Sequence, residues 1–379
     1  MGMPDEPGRA RSDRTRRRLL WGLSLAVAAS FVLGTIAVGF HAGRHRDTDT
    51  APGMVMNDEA EVDRAVATRF APGEQYFRLP TGVLLYSVEF VNAFNVKATG
   101  IVWQRIPADL PADVGHGVML PESEEVRGTE PAFSFDDHGD RIEFWTFHTV
   151  LRQTFDYRAY PLDRHAIWIR MHAADPYHKI QLVPDFKAFP PGRPAALLGI
   201  VPGFVYGDWR PEYTAFSLRH RDLGLTLDQA GLQQADLYYN LGVNRSPIGP
   251  TPGRLVPVLL LAVLLFLSLF VTTTEPERRT VSGFTTFAVI AFVITSTLVI
   301  AVNHNAVRAE LGSVGFAYIE SWYIALYTMT LLVATNATLL VTGGLSRMVR
   351  WRENLLPKLI YWPLFTGEMF LASLVFVGI

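Results

Sequence analysis

Along the chain, hydrophobic and polar positions follow two different regimes. Residues 19–40, 255–274, 280–303, 321–346 and 359–379 are almost continuously apolar. Each is close to the roughly 20 residues a helix needs to cross a bilayer. The first carries no charge, and the last carries one carboxylate, Glu368. The last four are named M1 to M4. Between the first stretch and M1 the pattern changes. Short runs rich in Val, Ile, Phe, Tyr and Trp alternate with Pro, Gly, Asp and Asn. The runs at 83–90, 95–105, 141–153, 165–172, 179–183, 214–220 and 235–245 read as strands. Regularly spaced short strands, without a long amphipathic helix, predict a β-sandwich. Residues 46–74, small and polar, read as a linker. The expected order is a basic tail with a signal or anchor helix over 1–45, the linker, a sandwich over 75–250, and a four-helix transmembrane bundle over 251–379.

Positive charges near the span ends set the orientation. Arg9, Arg11, Arg14, Arg16, Arg17 and Arg18 precede the first span. Arg278 and Arg279 lie in the M1–M2 turn, and Arg347, Arg350, Arg352 and Lys358 in the M3–M4 linker. The M2–M3 link carries Arg308 alone. The three basic segments belong inside and the M2–M3 link outside, which places the sandwich and the C-terminus outside the cytoplasm of a multi-pass inner-membrane protein. The first span reads as an uncleaved anchor or as a signal peptide. Its apolar core exceeds the roughly 7–15 residues of a cleaved signal, which favours the anchor.

Composition narrows the chemistry. Of 379 residues, 49% are hydrophobic and 18% charged, against about 25% charged in a soluble domain, and the shortfall concentrates in the last third. The net charge of -2 supplies no field for nucleic acid. The absence of cysteine excludes disulfides, thiolate metal sites and cysteine nucleophiles. No His-Glu-x-x-His, Gly-x-Ser-x-Gly or phosphate-cradling glycine loop is present, so neither an enzyme nor a cofactor is expected.

Three motifs carry a resemblance. Phe90-Val91-Asn92-Ala93-Phe94-Asn95-Val96 precedes Gly100-Ile101-Val102-Trp103; Tyr160-Pro161-Leu162-Asp163-Arg164-His165 follows; then Leu237-Tyr238-Tyr239-Asn240 leads to Arg245, with Arg254 and Pro257 opening M1. In this order they resemble the pentameric ligand-gated ion channels, the Cys-loop receptor family, over roughly residues 75–379. The second motif resembles that family's Phe-Pro-Phe-Asp-x-Gln signature, with His165 in place of the glutamine. The two loop cysteines would fall at Gln153 and Ile167, as in bacterial members without the disulfide.

The resemblance implies a homopentamer in a lipid bilayer, gated by a small molecule and passing inorganic ions. It implies that Asn92, Phe94, Tyr160, Pro161, Leu162 and Asp163 transmit the signal, with Asp163 meeting Arg245 and Pro257 shaping M1. M2 would line the pore. One stripe runs Ser282, Thr286, Val289, Val293, Ser296, Ile300, Asn303; a competing stripe runs Thr285, Ala288, Phe292, Thr295, Val299. Glu275, Glu277, Arg278 and Arg279 would form rings of mixed sign at the inner mouth. Trp209 and Tyr213, in a Pro/Gly-rich stretch, are the candidate ligand-binding aromatics. Asn336 and Glu368 read as helix-packing polar groups, and His304 and Arg308 as residues at the outer surface. The alternative function is a non-conducting membrane receptor or complex subunit on the same scaffold.

Overall fold

A computed structural model describes residues 7–42, 53–70, 73–123, 130–190, 197–205, 207–220, 235–246, 250–271, 286–312, 315–342, 351 and 354–377. The chain divides into a β unit, Arg46–Asp156 with Asp163–Ser246, and a helical unit, Met1–His45 with Tyr157–Leu162 and Pro247–Ile379.

The β unit contains strands β1 (Met54–Met56), β2 (Phe77–Phe90), β3 (Asn95–Ile106), β4 (Val118–Met119), β5 (Phe133–Asp137), β6 (Asp140–Arg152), β7 (Arg164–Ala173), β8 (Ile180–Pro184), β9 (Ile200–Val205), β10 (Trp209–His220) and β11 (Ala235–Arg245). One sheet has the order β1-β10-β11-β7-β4, the other β5-β6-β3-β2-β8, with β9 beside β2. The long pairs are antiparallel, whereas β8 and β9 run parallel to β2. Period-two patterning is clearest in β7, where Ile167, Ile169 and Met171 are buried and the alternate residues half-exposed. Strand β11 departs from it and is buried from Ala235 to Val243. Leu237, Tyr239, Leu241 and Val243 enter the apolar core, to which both sheets contribute. On the opposite face Asp236 and Tyr238 meet His172 and Trp168 from β7, and Asn240 bonds Ser217.

Residues 46–74 are more than a linker. β1 pairs with β10, and helix α2 (Glu59–Ala67) adds Val62, Ala65 and Val66 to the core. The local signal is an N-cap: Asp58 Oδ1 accepts the Glu61 amide at 2.7 Å, while Glu61 reaches back to the Asn57 amide at 2.8 Å. A short helix with three buried residues escapes a search for long amphipathic periodicity.

In the helical unit, α1 (Pro7–Ala42) precedes α3 (Pro250–Val271), α4 (Thr286–Leu311), α5 (Tyr318–Thr342) and α6 (Leu355–Phe376). All five are long and apolar enough to cross a membrane. They expose large apolar side chains, among them Leu260, Phe287, Ile294, Leu298, Leu331 and Leu371. Helices α3 to α6 correspond to M1 to M4. α5 packs with α3, α4 and α6, and α1 packs along α6. One boundary is corrected: α4 continues past Asn303 to Leu311, so His304 and Arg308 are helical residues and not part of a surface link. Apolar composition falls off at His304, but helical hydrogen bonding continues through the polar turns.

Candidate functional site

The start of β7 and the end of β11 lie in register, with Arg164 opposite Asn244. The Arg245 amide donates to the Asp163 carbonyl at 3.2 Å, which brings their side chains together. Asp163 is only 1% exposed. Arg245 Nε donates to its Oδ1 at 2.7 Å and Nη2 to its Oδ2 at 3.0 Å, a bidentate fork. His165 Nε2 lies 2.8 Å from the same Oδ2. The predicted Asp163–Arg245 pair therefore forms, with His165 as a third member. Burial raises the Asp163 carboxyl, but the hydrogen bonds from His165 and Arg245, and the arginine charge, outweigh it and hold the group below its usual range.

Aromatic rings surround this ion cluster. His165 lies 5.6 Å from Phe90, 5.1 Å from Phe155 and 5.1 Å from Trp209. Trp209 is 6% exposed, stacks on Phe90 at 4.3 Å and lies 4.0 Å under the Arg245 guanidinium. Its ring serves the buried cluster as a cation–π partner and is not open to a ligand within the chain. Tyr213 is half-buried in β10, opposite Gly242. A Cβ at Gly242 would come within 2.1 Å of the tyrosine ring, so the glycine permits this close approach.

The loop before Asp163 is closed without cysteine. Gln153, in one of the implied cysteine positions, uses both amide atoms on the backbone of Trp168. Its Nε2 donates to the Trp168 carbonyl, and its Oε1 accepts the Trp168 amide at 3.2 Å. Ile167, in the other position, faces the core. The Gln153 amide also donates to the Phe94 carbonyl at 2.8 Å. Phe94 belongs to the β2–β3 turn, which Asn92 shapes by accepting the Phe94 and Asn95 amides at 3.0 Å each. Phe94 itself is exposed.

Between these closures, Tyr157–Leu162 belongs to the helical unit. It forms a tight turn, with the Tyr160 amide on the Tyr157 carbonyl and the Leu162 amide on the Ala159 carbonyl, and a cis Tyr160–Pro161 peptide. Its carbonyls meet the start of α5: the Tyr318 amide donates to Arg158 at 2.7 Å and the Ile319 amide to Tyr160 at 3.2 Å. The first amides of a helix lack intrahelical partners, so the turn acts as an external cap. The adjoining Ala317 amide donates to Glu320 Oε1 at 3.0 Å, while Glu320 Oε2 meets His304 Nε2 at 3.0 Å and Arg308 Nη1 at 3.1 Å. Glu320 is 1% exposed, and a carboxylate so buried requires partners on every side. The His304 ring also stacks on Tyr323 at 5.3 Å. In the sequence Glu320 directly precedes the apolar run 321–346 and nothing local marks its partners. The overlooked signal is the i,i+4 pair His304 and Arg308, which shares a helix face at the same end.

The remaining candidates divide by location. Pro257 lies within α3. Val289, Val293, Ser296 and Ile300 are buried inside the helical unit. Thr295 and Val299 are exposed, and Ala288 and Phe292 half-buried. Thr286 opens α4; Ser282, Thr285, Glu275, Glu277, Arg278 and Arg279 lie outside the described residues. Asn336 is buried with neither amide atom hydrogen-bonded, and Glu368 Oε2 is buried without a hydrogen bond. Among the aromatics, Trp103, Trp145, Phe147, Tyr157 and Phe216 are buried, and Tyr206 is outside the described residues.

Among the described residues no group of three or more His, Asp or Glu could hold a metal ion. The arrangement contains hydrogen-bonded ion clusters and a helix cap, which can hold or release a conformation. Compared with known proteins, the chain matches no family model and shows no significant similarity to a curated protein.

Proposed function

We propose that the chain is a subunit of a pentameric ligand-gated ion channel, with a β-sandwich outside the cytoplasm and α3 to α6 as its transmembrane bundle. The observation that carries this reading is the capping of α5 by the carbonyls of Arg158 and Tyr160. The same turn runs directly into Asp163, which Arg245 and His165 hold in the β unit. A rearrangement of the strands at Asp163 thereby pulls on a turn that holds the start of α5. Glu320 then connects that start to α4 through His304 and Arg308. Signal thus has a continuous route of covalent and hydrogen bonds from β strands to α4, the helix proposed to line the pore.

Burial supports one face of α4 over the other. Val289, Val293 and Ser296 pack inside the unit, which leaves the stripe through Ala288, Phe292, Thr295 and Val299 for the water path. One observation favours the alternative, a non-conducting receptor: α4 exposes the large apolar side chains of Phe287, Ile294, Leu298 and Val302. The two readings separate in one experiment. Single cysteines are placed along α4 of the purified full chain, which has no native thiol, and probed with a charged thiol reagent during bilayer recording. A channel shows unitary currents, and the reagent modifies them at Thr295 and Val299 but not at Val293. Absence of current and of reagent accessibility under a broad ligand screen would overturn conduction and leave the receptor.

A further inference from the structure

We infer that α1 is a permanent fifth membrane helix, docked along α6 by a shape-specific face and passing close to the Tyr157–Leu162 turn. The inference does not depend on conduction.

The contact is built from mutual notches. A Cβ on Gly34 would lie 2.6 Å from the Phe370 ring, so the ring sits in the space that a side chain at 34 would occupy. Reciprocally, a Cβ on Gly367 would lie 3.3 Å from the Phe31 ring. The two phenylalanines stack with centroids 5.7 Å apart. One turn-pair towards the inner end, Ser24 Oγ donates to the Leu359 carbonyl at 2.6 Å. At that end the Trp21 ring lies 6.3 Å from Phe270 and 6.4 Å from Phe266 of α3. Small residues that let backbones approach, together with a buried hydroxyl on a free carbonyl, are what membrane helices use where no hydrophobic force separates lipid from protein.

The register carries a second, independent argument. Ser24 meets Leu359, Phe31 meets Gly367 and Gly34 meets Phe370, so both sequences advance together and the helices are parallel. Parallel packing puts the N-terminal end of α1 on the same side as the N-terminal end of α6, which carries Lys358. Arg14, Arg16, Arg17 and Arg18 are exposed there, as positive-inside charges are expected to be. An antiparallel helix would have put these arginines and Lys358 at opposite ends of the pair. At its other end the helix passes near Leu162: a Cβ built on Gly39 would lie 3.8 Å from Leu162 Cδ1. The docked helix therefore packs on α6 and passes close to the turn that caps α5.

The full chain, purified from membranes, tests this in three arms. Its intact mass should include α1; a mature protein lacking α1 overturns the inference. A Phe31→Cys, Gly367→Cys double variant should be bridged within one polypeptide by a short bifunctional maleimide, whereas Leu33→Cys with Gly367→Cys should not be. Bridging between two polypeptides, or none, overturns docking within the chain. Finally, Gly34→Leu should lower the apparent melting temperature by roughly 2–12 °C, as overpacking does. Adding Phe370→Ala should return part of that loss. Simple additivity of the two substitutions would show that they do not meet.

Discussion

Removing the Arg245 guanidinium is the sharpest perturbation of the site. Arg245→Leu deletes both arms of the fork onto Asp163, at 2.7 and 3.0 Å, and the ring contact with Trp209 at 4.0 Å. Breaking a buried pair by removing one partner costs about 3–5 kcal/mol, because the remaining charge stays out of water. The lost cation–π contact adds about 0.5–2 kcal/mol. His165 still faces Asp163 Oδ2 at 2.8 Å and offsets part of this. The expected loss is therefore near the lower bound, about 3 kcal/mol. For a domain of this size, roughly 2–4 °C accompany each kcal/mol, so the melting temperature should fall by about 6–12 °C. Asp163→Asn removes the other partner. In the double variant the two losses should overlap by about 2 kcal/mol, since no charge is left buried alone. The assay is near-ultraviolet circular dichroism of the full chain in detergent at one scan rate, because the buried Trp209 ring reports the cluster. Losses that add within about 0.5 kcal/mol would show that the two side chains are energetically independent, and would refute the reasoning.

Acid should act on the same cluster. The folded Asp163 carboxyl ionises below its ordinary value of 3.8, so the unfolded chain binds this proton more readily. The resulting stability is complete above the ordinary value and disappears as pH falls through the folded one. Melting temperatures measured from about pH 6 down to about pH 3 should therefore decline less steeply in Asp163→Asn than in the parent; identical slopes would contradict this. Gln153→Ala should loosen the loop by about 1–3 kcal/mol, by leaving the Trp168 backbone without its two side-chain partners. Hydrogen exchange of the Trp168 amide is the direct readout, and unchanged protection would refute the closure.

Much of this molecule was legible in its sequence because the signals are local. Unbroken apolar runs announced the long helices, since a helix satisfies its own backbone in lipid wherever it lies. Alternation and turn residues announced β2, β3, β6, β7 and β11, because side-chain direction in a strand depends only on residue parity. Asp163 and Arg245 were singled out by their places in two motifs, although the sequence held nothing that measured their separation.

Tertiary structure decided what depends on register and on remote partners. That His165 joins Asp163, and that Trp209 covers Arg245, follows from β7, β10 and β11 lying side by side in one register. Gln153 closes its loop because the backbone at Trp168 returns to it. Glu320 gains its partners because α4 continues to Leu311 and brings His304 and Arg308 against it. The face of α4 that packs inward was equally undetermined, because both stripes are spaced for a helix and only neighbouring helices distinguish them. Local pattern thus marked the long helices and the longer strands but not α2, β1 or the end of α4, and the pairing of charges, rings and notches awaited the fold, because those energies depend on distances between residues far apart in the chain.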